Sequence, residues 1–216
     1  MSQPSVIFFD AAGTLFGVQG SIGAAYGNFA RRFGVEVDDR LLNQAFFDSF
    51  AATEQAAFPG VPQTEIRRLE FQWWEAIAKD TFQRAGVFHQ FADFSAFFKQ
   101  LYDYFATADP WFLYPDVRPT LESLHSQGIP LGVLSNFDSR LYSVLEALDL
   151  AQFFDSVTIS TVVGAAKPNP PIFAAGLEKH GCAASDAWHI GDSYRDDYQG
   201  AIAAGLRGIW LRRNSD

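Results

Sequence analysis

The feature that most constrains this chain is a short apolar run that recurs five times along it. The runs are Ser5 to Phe9, Pro130 to Leu134, Val157 to Ser160, Ala187 to Ile190 and Gly208 to Leu211. Continuous runs of this kind suit strands buried on both faces, the condition of a parallel sheet. Helical patterns precede or separate the last four. Val117 to Ser126, Arg140 to Leu148, Pro171 to His180 and Arg195 to Ala204 carry apolar residues at three-to-four spacing. Strand and helix alternating in this way predict an α/β fold with a doubly wound parallel sheet.

From residue 21 to 108 the pattern changes. No run there reads as a strand, and four helical segments fit instead: Ser21 to Phe33, Asp39 to Phe58, Thr64 to Ala85 and Gln90 to Ala106. The break Phe58-Pro-Gly-Val-Pro62 separates the middle pair, and Gly86 ends the third. Aromatics are dense here, as in Phe71-Gln-Trp-Trp74 and Phe91-Ala-Asp-Phe94. We expect a helical domain of about residues 17–109 inserted into a sheet domain of about 1–16 and 110–216. The hinges fall near Phe16 to Gly20 and Asp109 to Pro115, where Gly and Pro collect.

Composition narrows the function classes. Apolar residues are 48% and charged residues 19% of 216, enough for a full core. Sixteen Lys and Arg against 25 Asp and Glu leave a net charge of −9, which argues against nucleic acid as a partner. The single Cys182 excludes an internal disulfide and a cysteine zinc site. Met1 to Ser5 carry no basic and apolar leader pattern, and no apolar run nears the roughly 20 residues that span a bilayer. A cytoplasmic location, with no membrane partner, is expected.

In open α/β sheets, ligands bind beyond the carboxyl ends of the strands. Asp10-Ala-Ala-Gly-Thr14 follows the first strand and Ser135-Asn136 the second. Lys167-Pro168 lies in the loop after the third, and Gly191-Asp-Ser-Tyr-Arg-Asp-Asp197 follows the fourth. Together they gather carboxylates, hydroxyl and amide donors and one ammonium at one end of one sheet. This set fits phosphoryl transfer from a small phosphorylated substrate through an aspartyl intermediate. Asp10 is the expected nucleophile. Asp10, Asp192 and one of Asp196 and Asp197 crowd negative charge that a Mg²⁺ relieves. Lys167 supplies positive charge to the phosphoryl oxygens and to Asp10. The Ser135 hydroxyl, with Asn136 beside it, and the backbone N–H groups of the Ala11, Ala12 and Gly13 turn are expected to receive the developing charge. Gly13 lets the backbone approach closely, and Thr14 bonds within the turn.

The four motifs in this order, with a helical insert after the first, resemble the haloacid dehalogenase-like hydrolase superfamily over essentially the whole chain. The insert resembles that superfamily's first type of helical cap. The strings Ser135-Asn-Phe-Asp-Ser-Arg-Leu141 and Gly191-Asp-Ser-Tyr-Arg-Asp-Asp-Tyr-Gln-Gly200 are further similar to a subgroup named for rhythmically expressed genes. The resemblance implies a Mg²⁺-dependent phosphatase with Asp10 as nucleophile and Asp192 as a metal ligand. It also makes the backbone carbonyl of Ala12 a ligand.

The family's phosphatases read Asp-x-Asp-x-Thr in the first motif, and the second acid protonates the leaving oxygen and later activates water. Such a group is worth roughly 10²- to 10⁴-fold in rate, and Ala12 stands in its place. Phosphonoacetaldehyde hydrolases read Asp-x-Ala-Gly-Thr, as here, but add a cap lysine as a Schiff base early in the insert. Here the insert holds only Lys79 and Lys99. The 2-haloacid dehalogenases read Asp-Ala-Tyr-Gly-Thr-Leu-Phe, close to the string from Asp10 to Phe16, but lose the metal carboxylate that Asp192 keeps. A metal-dependent phosphatase is therefore the expected activity. Carbon–halogen or carbon–phosphorus hydrolysis, and a weakly catalytic phosphate-binding regulatory protein, are the alternatives.

Other residues read more plainly. Spacing favours Asp197 over Asp196 as the second acid of the fourth motif. Trp73 and Trp74 point about 100° apart on a helix and are expected in the core of the insert. His189 is expected to be packed in its strand, and His89, His125 and His180 to lie at the surface or at helix ends. Cys182 reads as a small residue after Gly181, and Arg67 and Arg68 as a solvated helix face.

Overall fold

A computed structural model describes residues 3–213. In chain order, β1 (Val6–Phe9) and β2 (Phe16–Val18) lead into helices α1 (Ile22–Arg32), α2 (Asp39–Ala52), α3 (Gln63–Arg84) and α4 (Phe94–Tyr104). There follow β3 (Trp111–Leu113), α5 (Val117–Ser126), β4 (Leu131–Ser135), α6 (Arg140–Ala147), β5 (Ser156–Ile159), α7 (Ser160–Val163) and α8 (Pro170–His180). The chain continues through β6 (Ala187–Gly191), a π-helical turn (Tyr194–Gln199), α9 (Gly200–Ala203) and β7 (Arg207–Trp210).

Five strands form one parallel sheet in the order β5-β4-β1-β6-β7. All five expected runs are therefore strands of one sheet. β1 is central, and every one of its residues is buried. Its alternation divides the core. Ile7 and Phe9 join Leu131, Val133, Leu121 and Val144 in one cluster, under α5 and α6. Val6 and Phe8 join Leu134, Ile172, Phe173 and Ala201 on the opposite face, under α8 and α9. The chain builds outward from β1 to β4 and β5 on one side, then to β6 and β7 on the other. The point of reversal lies at the carboxyl end of β1, where a crevice opens in sheets of this type.

Helices α1 to α4 form a layer with a core of their own. Tyr26, Phe29, Leu42, Phe46, Ile77, Phe82 and Phe97 are buried together there. Three of the four helices start on side-chain caps: Ser21 Oγ accepts from Ala24 N–H, Asp38 Oδ1 from Arg40 and Leu41 N–H, and Asp93 Oδ1 from Ala96 N–H. This layer is anchored to the sheet layer by polar contacts. Trp74 Nε1 donates to Asp138 Oδ2 at 2.6 Å, and Glu70 Oε1 accepts from Ser139 N–H, Ser139 Oγ and Thr161 Oγ1 at 2.9, 2.9 and 2.6 Å. Trp74 therefore serves the junction between the layers as well as the insert.

Three local expectations are corrected. The helix expected over Asp39 to Phe58 stops at Ala52. The chain beyond it leaves the helix to satisfy neighbours: Glu54 O accepts from Trp73 Nε1 and Ala56 O from Ser160 Oγ. The two hinge segments contain a paired antiparallel ribbon, with Gly17 opposite Phe112. The helix expected over Arg195 to Ala204 is a π-turn followed by a short α-helix. There Tyr198 N–H reaches back five residues to Ser193 O.

Candidate active site

The site lies at the carboxyl ends of β1, β4 and β6. Asp10 directly follows β1 and is 7% exposed, with its N–H bonded to Ile190 O at 2.9 Å. The loop after α7 brings in Lys167, which is 2% exposed. Its Nζ donates to Asp10 Oδ1 at 2.6 Å, Asp197 Oδ1 at 2.6 Å and Leu134 O at 3.0 Å. The ammonium thus has an acceptor for each of its three protons.

Asn136 fixes that loop. Its Nδ2 donates to Lys167 O at 3.0 Å, while Lys167 N–H donates to Asn136 Oδ1 at 2.7 Å. Both ends of the amide are committed to the lysine backbone, so Asn136 positions Lys167 instead of facing a substrate. Ser135 ends β4 and is buried at 2% exposure.

The turn after β1 is equally determined. Ala11 O accepts from Thr14 and Leu15 N–H, and Gly13 N–H donates to Phe16 O at 2.8 Å. The Gly13 N–H is thereby spent within the turn, contrary to its expected role toward a phosphoryl group. Ala11 and Ala12 N–H have no backbone acceptor in this turn among the described residues. The Ala12 side chain is exposed. Gly13 has φ +90°, and a Cβ there would lie 2.5 Å from Asp192 Oδ2, so only glycine fits. Thr14 Oγ1 accepts from Asp192 N–H at 3.1 Å and donates to Asp192 Oδ1 at 3.2 Å.

Asp197 arrives by way of the π-turn, against the face of Gly191, where a Cβ would lie 2.1 Å from its Cγ. It is buried and fully engaged. Oδ1 accepts from Lys167 and from His189 Nε2 at 2.8 Å, and Oδ2 accepts from Ser193 N–H at 2.9 Å. Asp196 is half-buried beside the cluster, with its N–H on Ser193 Oγ. The structure thus brings Asp10, Asp192 and Asp197 together, with carboxylate oxygens within 4.8 Å of one another.

The electrostatics follow from this crowding. Partial burial of its carboxyl, together with the charges of Asp10 and Asp197, pushes Asp192 up to about 6. Burial pushes Lys167 down, but Asp10 and Asp197 outweigh it and hold the ammonium above its usual value. Asp197 is held well below the usual carboxylate range despite its burial, by Lys167 and His189. Burial pushes His189 down, so the ring is neutral and its Nε2–H is the donor to Asp197. A surplus of carboxylate converging on one point, with a glycine clearing space beside Asp192, suits a small hard cation. Since both oxygens of Asp197 already serve protein donors, Asp10 and Asp192 are the better placed ligands.

Sequence reading missed two features. His189 is packed as expected, edge-on to Phe173, but its ring also bonds to the central carboxylate. A histidine two residues before the Gly191-Asp192 turn was the available signal. Trp210 and Arg213, beyond the fourth motif, hold the site from outside: Trp210 Nε1 donates to Asp192 O at 3.0 Å and Arg213 Nη2 to Thr14 O at 2.5 Å. Nothing in their sequence pattern marks that reach. His89 is exposed in the turn after α3, beyond the end of that helix. From Trp74 to Arg84 alone α3 runs about 15 Å. His125 lies in the last turn of α5, and His180 bonds Ser156 Oγ at the far end of β5. Among the described residues, no helix is long and apolar enough to cross a membrane.

Comparison with known proteins bears on this arrangement. A family model described as haloacid dehalogenase-like hydrolase matches residues 4–205. The mouse haloacid dehalogenase-like hydrolase domain-containing protein 3 is 35% identical over 206 residues, covering 94% of this chain and 80% of that protein. The fruit-fly (Drosophila melanogaster) rhythmically expressed gene 2 protein is 28% identical over 223 residues, covering 100% of this chain and 85% of that protein. Among solved structures, a putative hydrolase from Bacillus subtilis bound to magnesium superposes with a TM-score of 0.68 at 19% identity. The match covers 97% of this chain and 89% of that one.

Proposed function

Because this chain belongs to the haloacid dehalogenase-like hydrolases, we propose that it is a cytoplasmic, Mg²⁺-dependent phosphatase of a small phosphorylated molecule, with Asp10 as the nucleophile. The observation that carries this reading is the Lys167 ammonium, 2.6 Å from Asp10, facing a convergence of three carboxylates at the sheet's point of reversal. Asp10, Asp192 and the backbone carbonyl of Ala12 would hold the Mg²⁺, and the structural neighbour from Bacillus subtilis is itself bound to magnesium. When bound, the ion supplies positive charge that lets an anionic nucleophile approach an anionic phosphoryl group.

The chain's own residues do the rest. Lys167, pinned by Asp197 and by the Asn136 clamp, holds the carboxylate of Asp10 in a fixed orientation. An Asp10 oxygen attacks phosphorus, and the bond to the leaving oxygen breaks with its electron pair. Ala11 and Ala12 N–H and the Ser135 hydroxyl would receive the charge on the phosphoryl oxygens. Water then cleaves the aspartyl-phosphate, releasing phosphate and restoring the carboxylate. The helical layer of about residues 17–109 acts as a cap on the sheet domain of about 1–16 and 110–216, excluding bulk water and selecting the substrate.

Ala12 shapes the specificity. Its methyl group can neither protonate a leaving oxygen nor activate water. Leaving groups that depart without a proton are favoured: aryl phosphates, acyl phosphates and anhydrides over alkyl phosphates. The test is a series of phosphate esters with graded leaving-group pKa, with Mg²⁺ and after chelation. The expected result is metal-dependent turnover that falls steeply as the leaving group becomes more basic. Ala12→Asp should raise alkyl phosphate turnover by up to roughly 10²- to 10⁴-fold. A flat series would overturn the role given to Ala12, and metal-independent chloride release from a 2-haloacid would assign the dehalogenase reaction instead.

A further inference from the structure

His189 is fully buried against the Asp10 cluster, and the reaction set out above gives it no task. It lies on β6 opposite Phe8 of β1, and its ring meets Phe173 of α8 edge-on. The ring makes one hydrogen bond among the described residues: Nε2 lies 2.8 Å from Asp197 Oδ1, and the buried Nδ1 has no partner. An ionised carboxylate only accepts, so the ring hydrogen must sit on Nε2.

That hydrogen bond falls on the oxygen that Lys167 also uses. The Lys167 ammonium is 2.6 Å from Asp197 Oδ1 and 2.6 Å from Asp10 Oδ1, so two carboxylates draw on one cation from two sides at equal distance. The other oxygen of Asp197 is taken by Ser193 N–H. On Oδ1, His189 is the donor that competes with Lys167. A donor on a carboxylate oxygen offsets part of its charge, and so weakens the hold of that oxygen on a second donor.

We propose that His189 is a positioning residue for the hydrolase reaction: by donating to Asp197 Oδ1 it limits the pull of that carboxylate on Lys167 and keeps the ammonium on Asp10. There the ammonium orients the nucleophile and faces the charge of the phosphoryl group. Without the donor, the ammonium shifts toward Asp197 and Asp10 loses its orienting contact. His189 neither gives up its proton nor forms a bond in the reaction. The catalytic consequence rests on the phosphatase reading, whereas the placement of Lys167 is measurable without turnover.

Nuclear magnetic resonance of the metal-free chain, with lysine and histidine labelled with ¹⁵N, tests the inference. Of the four lysines, Lys79, Lys99 and Lys179 are exposed, while Lys167 is enclosed by three acceptors. Its ammonium protons should therefore exchange slowly enough to be seen, and those of the other three should not. The expected Lys167 signal keeps its position in His189→Gln, whose amide can donate to the same oxygen. It is displaced or lost in His189→Leu and His189→Met, two donor-free variants whose folding the amide spectrum checks. The native His189 ring should carry its hydrogen on Nε2. With Mg²⁺ and an aryl phosphate, kcat of the donor-free variants should fall about ten- to a hundredfold, as expected for a displaced catalytic group, and His189→Gln should recover most of it. A Lys167 signal unmoved in a folded donor-free variant overturns the proposal. So does a hydrogen on Nδ1 of the native ring, an unchanged kcat, or a His189→Gln variant that restores neither signal nor rate. If the native chain turns over no phosphate ester, the phosphatase reading falls, and the Lys167 signal still decides the role of His189.

Discussion

Lys167 is the residue whose removal the structure makes most consequential. Its ammonium is enclosed with two carboxylates and a carbonyl, each within 3.0 Å. Lys167→Met keeps the volume and the apolar stem but leaves Asp10 and Asp197 facing each other without a cation. Breaking a buried ion pair from one side costs about 3–5 kcal/mol. Asp197→Asn removes the charge from the other side. Its Oδ1 can still accept from Lys167 and His189, but its amide nitrogen would face Ser193 N–H, so the loss is about 1–3 kcal/mol. The double variant has lost both the ammonium and one of the two negative charges it balanced. It should be more stable than the sum of the single effects by about 1–3 kcal/mol. Urea unfolding of the four proteins at neutral pH, in metal-free buffer, measures the cycle. Additive effects within about 0.5 kcal/mol would refute the claim that Lys167 and Asp197 form one electrostatic unit.

Two further outcomes follow from the same cluster. Asp192 stands at about 6 in the fold, above the roughly 3.9 of an unfolded aspartate, so between those values the folded state holds the extra proton and Asp192 costs stability as pH rises. In metal-free buffer Asp192→Asn should therefore gain on the native chain as pH rises from about 4 to about 6, while added Mg²⁺ should stabilise the native chain alone; a pH-independent difference in thermal stability would contradict the crowding. Because the neutral His189 ring donates to Asp197, His189→Leu should lose about 1–3 kcal/mol in urea unfolding and His189→Gln, which keeps a donor, should lose less; equal losses would show that only the volume matters.

The legible parts of this molecule were those with a repeating pattern. The β1 run is buried on both faces because helices cover both sides of the sheet, and that condition writes itself as unbroken hydrophobicity in Val6 to Phe9. Asp10, Lys167, Asp192 and Asp197 could be gathered from the sequence because strand ends share one edge once the sheet is parallel. What stayed hidden depends on single contacts. Three-residue strands such as Phe16–Val18 have no period to detect, and pair only because Trp111–Leu113 lies opposite. The end of α2 is set by acceptors that Trp73 and Ser160 need, far away in the chain. The clamp of Asn136 on Lys167 and the reach of Trp210 to Asp192 are likewise tertiary facts. Gly13 could be read as permissive, but not that its N–H would be consumed by Phe16 O.

The central claim is that Asp10 becomes covalently phosphorylated. Borohydride reduces the activated carbonyl of an acyl phosphate to an alcohol, with loss of phosphate, and leaves free carboxylates untouched. The direct measurement is therefore a rapid acid quench during turnover of an aryl phosphate with Mg²⁺, then borohydride reduction and peptide mass mapping. The account predicts conversion of Asp10 alone to the corresponding alcohol, dependent on Mg²⁺ and absent in Asp10→Asn. Substantial turnover with Asp10 unmodified, or conversion at another carboxylate such as Asp192 or Asp197, would contradict it.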